Sequence, residues 1–266
     1  CVAKLGEDKN SDDYLFHKLL GHVWTQDGAF ELQGQKISYQ GIHRAGQQFF
    51  VDKMIESLGQ VSETHPEILS PEFKSSLIDT LTDSMHQDLD HMWARFEKGL
   101  PVLIHTGFQG HAMNILVIDK YLIICNRGAL SSMPIEAYEF DRSKMTKETL
   151  ARMQDVRNYH LFTAVVYYKF AFGGSVNAQQ DDVTSVLQKY NEFLDYQSLG
   201  NCAWESLEAA MYVLFVIPQI LENKKMGRPL DESVPEAISR FDDWLKMTEL
   251  QILEQYLVRY ESGQST

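Results

Sequence analysis

Residues 100–128 constrain the fold more than any other part of the chain. "LPVLIHTGF", "HAMNILVID" and "KYLIICNRG" follow one another there. Each segment is short, apolar and rich in β-branched residues, and Gly or Pro punctuates the run. This pattern predicts consecutive strands of one sheet. A two-residue turn at Asp119–Lys120 would set Ile118 opposite Tyr121 and, counting back, Met113 opposite Asn126. "IEAYEFD", from Ile135, offers a further strand.

Helical patterns lie on both sides of this block. Helices are expected over 12–24 and 44–58. Leu77, Leu81, Met85, Leu89, Met92 and Phe96, spaced by three and four, predict one amphipathic helix over 72–98. Further helices are expected over 147–157, 181–195 and 202–217, and over 234–261 with Pro235 in the first turn. A hairpin is expected over 29–41, turning near Gly34, while 159–172 suits strand or helix equally. The sum is an α+β fold with a central, mainly antiparallel sheet flanked by helices. A mostly helical N-terminal subdomain, 1–99, would pack on an α+β core, 100–266.

A net charge of −13 argues against a nucleic-acid binder, which needs a basic face to displace counterions. The longest apolar run, "AAMYVLFVI", stops at Pro218, so no membrane span is expected. Three cysteines without a CxxC pair form no disulfide framework and suit a reducing, cytoplasmic setting. No cofactor motif or metal-ligand spacing occurs, so no cofactor or metal is expected. In "HQDLDHMW" the two histidines are five residues apart and share no helical face. "FGGSV" lacks nucleotide-loop spacing and is read as a turn.

The candidate chemistry starts at "YQSLGNCAWESLEAA". Asn201 is a good N-cap, which makes Cys202 the first helical residue. The helix N-terminus, with its unpaired N–H groups, lowers a thiol's pKa. A thiolate nucleophile needs a base, and the base needs an acceptor to orient it. His111 opens one strand and Asn126 ends the next. The turn at 119–120 places them diagonally on the same face, and Gly110 and Gly128 leave the approach open. Gln197, in the loop before the cysteine, can donate to an oxyanion together with the Cys202 backbone N–H. Gly110, Asn201 and Trp204 are the expected substrate-side residues, with core packing the commoner role for Trp204. Cys125 falls on the face opposite Asn126 and is expected to pack in the core.

The order His111, Asn126, Gln197, Cys202 resembles the clan CE cysteine peptidases. These include the SUMO- and ubiquitin-like-specific proteases, the adenoviral protease and related bacterial effector enzymes. Papain-like enzymes share the spatial arrangement but place the cysteine first. The resemblance covers about residues 100–217. The family often has His-Trp where this chain has His111-Ala112, and Asp-Cys-Gly where it has Asn201-Cys202-Ala203.

The resemblance implies a papain-like core and a hydrolase acting through a Cys–His–Asn triad on a protein substrate, a polypeptide or a ubiquitin-like conjugate. If the chain is a bacterial effector, it would act in the host cytosol. Two alternatives stand beside this reading: an acetyltransferase using the same triad with acetyl-CoA, and a non-catalytic interaction module on a protease-like scaffold. The sequence carries no signal for oligomeric state.

Overall fold

A computed structural model of the chain describes residues 29–32, 35–38, 44–86, 88–108, 111–127, 133–154, 179–191, 194 and 202–261. The expected helix at 12–24, the undecided stretch 159–172 and the glycine pair of "FGGSV" lie outside them.

The element order begins with a hairpin, β1 (Ala29–Leu32) and β2 (Gln35–Ser38). Three helices follow, α1 (Arg44–Thr64), α2 (Pro71–His86) and α3 (Leu89–Glu97). Then come β3 (Val102–Phe108), β4 (His111–Ile118), β5 (Tyr121–Cys125) and β6 (Ile135–Glu139). The described helices that complete the chain are α4 (Lys147–Gln154), α5 (Asp182–Lys189), α6 (Cys202–Met226) and α7 (Val234–Glu261). Strands β3 to β6 form one antiparallel sheet in sequence order. The architecture is α+β, as expected.

The β4–β5 register matches the sequence expectation. Ile118 pairs with Tyr121 and Asn114 with Cys125. Asp119 carries a φ of 52°, the left-handed conformation that a two-residue hairpin turn requires and that Asp tolerates well.

Alternation along the strands divides the interior between two faces of the sheet. Leu103, Ala112, Leu116, Ile118, Tyr121, Ile123 and Cys125 join the larger core with α1, α2, α5, α6 and α7. Val102, Ile104, Met113, Ile115, Val117, Leu122 and Ile124 pack on the other face with α3 and α4. The larger core crosses residue 99, since Phe50, Met54 and Leu58 of α1 sit in it with Trp204 and Trp244.

This division explains why the helix expected over 72–98 is two helices. Leu77 and Leu81 serve the larger core, whereas Met92 and Phe96 serve the smaller one. One straight helix cannot line both faces of a sheet. The break falls at Asp88, whose side chain accepts from the N–H groups of Asp90 and His91 as the α3 N-cap.

Helix α6 also corrects the sequence reading. It does not end before Pro218 but runs through it to Met226. Interior proline costs about 3 kcal/mol, and here burial of nearly every neighbour from Leu207 to Ile217 and of Ile220 offsets that loss. The stretch Trp204–Met226 is long and apolar enough to cross a membrane by length and composition, but 78% of its most apolar window is buried inside this fold, which agrees with the expectation of no membrane span. It is the central core helix.

Candidate active site

Helix α6 lies across the face of the sheet that carries Asn114. Asn114 Nδ2 donates to Ser206 Oγ at 2.9 Å, one helical turn after Cys202. Arg127 lies just past the end of β5. Its Nη1 is 2.5 Å from Glu208 Oε1 and 2.7 Å from Glu205 Oε2. All three side chains of this ion cluster are nearly buried. These contacts tie the first two turns of α6 to one end of the hairpin, the end where β4 begins and β5 stops. His111 is three residues before Asn114 in β4, about 10 Å along an extended strand. Cys202 is four residues before Ser206, about 6 Å along the helix axis. Asn126 adjoins Arg127, and its N–H donates to the Pro134 carbonyl at 3.0 Å. It is buried.

Of the residues singled out from sequence, Cys202 is the first residue of α6 and His111 the first of β4. His111 pairs with Phe108. Gln197, Asn201 and Gly110 lie outside the described residues. Register gives position 111 the parity of Met113, which belongs to the α3/α4 face, whereas α6 packs on the face of Ala112, Leu116 and Ile118. Trp204 is 1% exposed and meets Phe50 edge to face, with ring centroids 5.5 Å apart. It packs in the larger core. Cys125 is fully buried among the apolar side chains of the α6 face, and burial pushes its thiol pKa up. A neutral, enclosed thiol is no nucleophile.

Sequence reasoning missed the polar line that holds α6 in place. His105 of β3 sits directly opposite Asn114 of β4. Asn114 gives its amide nitrogen to Ser206, so its oxygen accepts from His105 Nδ1 at 2.6 Å. His105 Nε2 faces Ser84 Oγ of α2 at 2.9 Å. Ser84, His105, Asn114 and Ser206 are each at most 5% exposed. The line thus crosses from α2 through two strands to α6. Its signal in the sequence is faint but physical: a polar residue in the middle of each of two mostly apolar, buried strands, at positions that a hairpin aligns. Arg127 with Glu205 and Glu208 has no comparable signal, because ionic residues at a strand end and on a helix normally read as surface.

Among the described residues, no group of three or more His, Cys, Asp or Glu side chains is arranged to hold a metal ion.

No protein-family model matches the chain, and no curated protein matches it significantly. Among solved structures it is similar to the Legionella effector AnkH, with a TM-score of 0.62 and 16% identity. The match covers 94% of this chain and 54% of AnkH, so the chain spans about half the length of that protein. At this identity the likeness is one of fold.

Proposed function

We propose that the chain is a cysteine-dependent hydrolase that cleaves a polypeptide or a ubiquitin-like conjugate. In this reading His111 takes the proton from Cys202, Asn126 orients His111, and the sulfur attacks the carbonyl. Gln197 and the backbone N–H groups at the start of α6 stabilise the oxyanion, and water releases the acyl-enzyme. The observation that carries the reading is the Asn114–Ser206 hydrogen bond. It fixes the start of α6 at the end of the hairpin from which positions 111 and 126 depart. Arg127 adds electrostatic support. Glu205 lies in the first turn of α6, where its charge would disfavour a thiolate, and the guanidinium at 2.7 Å offsets it. The chain shares its fold with a protein described as a Legionella effector, and in this reading it is itself an effector that works on host proteins in the cytosol.

The parity of position 111 sets the most demanding geometric condition, and an experimental structure tests it. The Cys202 sulfur should lie within about 4 Å of a His111 ring nitrogen, given a hydrogen-bond reach of about 3 Å. Separation beyond about 8 Å with no hinge to close it would sink the triad. In solution, ubiquitin and SUMO bearing a C-terminal electrophile should label wild type and neither Cys202→Ala nor His111→Ala. Labelling that survives His111→Ala at an unchanged rate would leave a reactive thiol without the proposed base. An absence of labelling and turnover would favour the interaction-module alternative.

A further inference from the structure

A cavity of about 420 Å³ opens between the C-terminal end of α5, the second turn of α6 and the first half of α7. Its size falls within the range of small-ligand sites, about 300–1,000 Å³. Tyr190, Leu194, Ile238 and Phe241 supply apolar walls, and two carboxylates, Glu208 of α6 and Asp242 of α7, also line it. No Lys, Arg or His side chain lines it among the described residues.

The two carboxylates differ in setting. Glu208 is buried, and its bond to Arg127 fixes its orientation. Among the described contacts Arg127 also serves Glu205, so its guanidinium is shared between two carboxylates. Asp242 is an exposed rim residue paired with Lys246 one turn along α7, 2.5 Å away. Exposed pairs of this kind hold weakly, and an incoming cation can displace the lysine. Lys189 Nζ, paired with Asp231 at 3.0 Å, also lies 5.1 Å from the Tyr190 ring centroid. An anion in the cavity would meet two carboxylates. A purely apolar molecule would bury their field without answering it. We infer that the cavity binds an organic cation with an apolar body: a hydrocarbon or aryl stem against Leu194, Ile238 and Phe241, and an ammonium or guanidinium head between Glu208 and Asp242. Lysine and arginine side chains belong to this class. The inference is independent of Cys202.

Calorimetry on the full chain with 4-phenylbutylamine and its acid counterpart, 4-phenylbutyrate, tests it. The amine should bind at least about tenfold more tightly than the acid, and added salt should narrow the gap. Ser239 also lines the cavity and is exposed, so Ser239→Trp should plug the mouth and abolish binding without entering the core. Asp242→Asn should weaken the amine roughly threefold to tenfold while leaving the acid no weaker. Equal affinities, preference for the acid, or undiminished binding to a folded Ser239→Trp variant would overturn the assignment. Acetyl-Phe-Lys-amide compared with acetyl-Phe-norleucine-amide separates the sources. A preference for lysine identifies a polypeptide side chain as the occupant, and amine binding without that preference identifies a free amine.

Discussion

Asn114 Nδ2 and Ser206 Oγ, 92 residues apart in sequence, meet at 2.9 Å inside the protein. Their bond joins the middle of the sheet to the second turn of α6 where neither group is open to water. Ser206→Ala deprives the Asn114 amide of this acceptor and should cost about 1–3 kcal/mol. Asn114→Leu also strips the oxygen from His105 and should cost more, about 2–4 kcal/mol. Urea denaturation gives both values. If α6 owes its position to this bond, Cys202 alkylation should also slow in both variants under native conditions. Unchanged stability in Ser206→Ala would show that the bond contributes nothing beyond what water supplies.

The two cysteines placed in the fold should behave oppositely toward iodoacetamide. Cys125 is buried in an apolar cluster that denies it a thiolate, so it should stay unlabelled until the protein unfolds. Cys202, at a helix N-terminus, should label at neutral pH if it is the nucleophile proposed. Peptide mass spectrometry after a short native pulse reads both sites at once. The sign of the Cys125 effect is also fixed. Its native pKa is raised, so the native state holds a proton that the unfolded state releases above about pH 9. Stability should therefore be whole below that pH and fall as pH rises beyond it. Cys125→Ala should flatten that limb while costing some stability through the lost packing.

The hairpin was legible because its turn is only two residues long. Once Asp119–Lys120 is the turn, every pairing from Ile118–Tyr121 to Asn114–Cys125 follows by counting. The break between α2 and α3 was not, because Leu77 through Phe96 keep helical spacing across it. Periodicity states that a face is apolar, not which face of the sheet it must meet. Pro218 misled for a related reason. Local propensity stops the helix there, and burial on both sides carries it on. Cys202 and His111 stood out as residue types suited to chemistry. His105 and Asn114, which hold the scaffold, become a pair only when register sets them side by side.

Asp181 offers a test at acid pH. Its side chain caps α5 through the Thr184 N–H at 2.9 Å, accepts from Tyr121 at 3.1 Å and pairs with Lys224 of α6 at 3.1 Å. Burial alone would raise its pKa, but these partners together hold it below the ordinary carboxylate value. A lowered native pKa contributes stability that is present above the unfolded value, near 4, and is lost as pH falls through the native one. Asp181→Ala should cost about 1–2 kcal/mol at neutral pH through the lost cap. It should also make stability less dependent on pH below about 4, which denaturation at pH 3 and pH 7 measures.

Arg127 is the residue whose loss should reach furthest. It stands against Glu205 and Glu208, both nearly buried, so Arg127→Met leaves two carboxylates without their guanidinium. Removing one partner of a buried ion pair costs about 3–5 kcal/mol, because the surviving charge is stranded. The double variant Arg127→Met/Glu208→Gln removes one stranded charge and should recover a substantial part of that loss. Recovery is the diagnostic result, since a merely steric role for Arg127 predicts none. Arg127→Met also tests the electrostatics of the proposed nucleophile. With Arg127 gone, the Glu205 charge in the first turn of α6 should weigh more on Cys202, so the alkylation rate of Cys202 should reach half-maximum at higher pH in Arg127→Met than in wild type. Adding Glu205→Gln should return that midpoint toward wild type. A midpoint that ignores both substitutions would mean that the charge at Glu205 does not reach the sulfur, and that Arg127 serves stability alone.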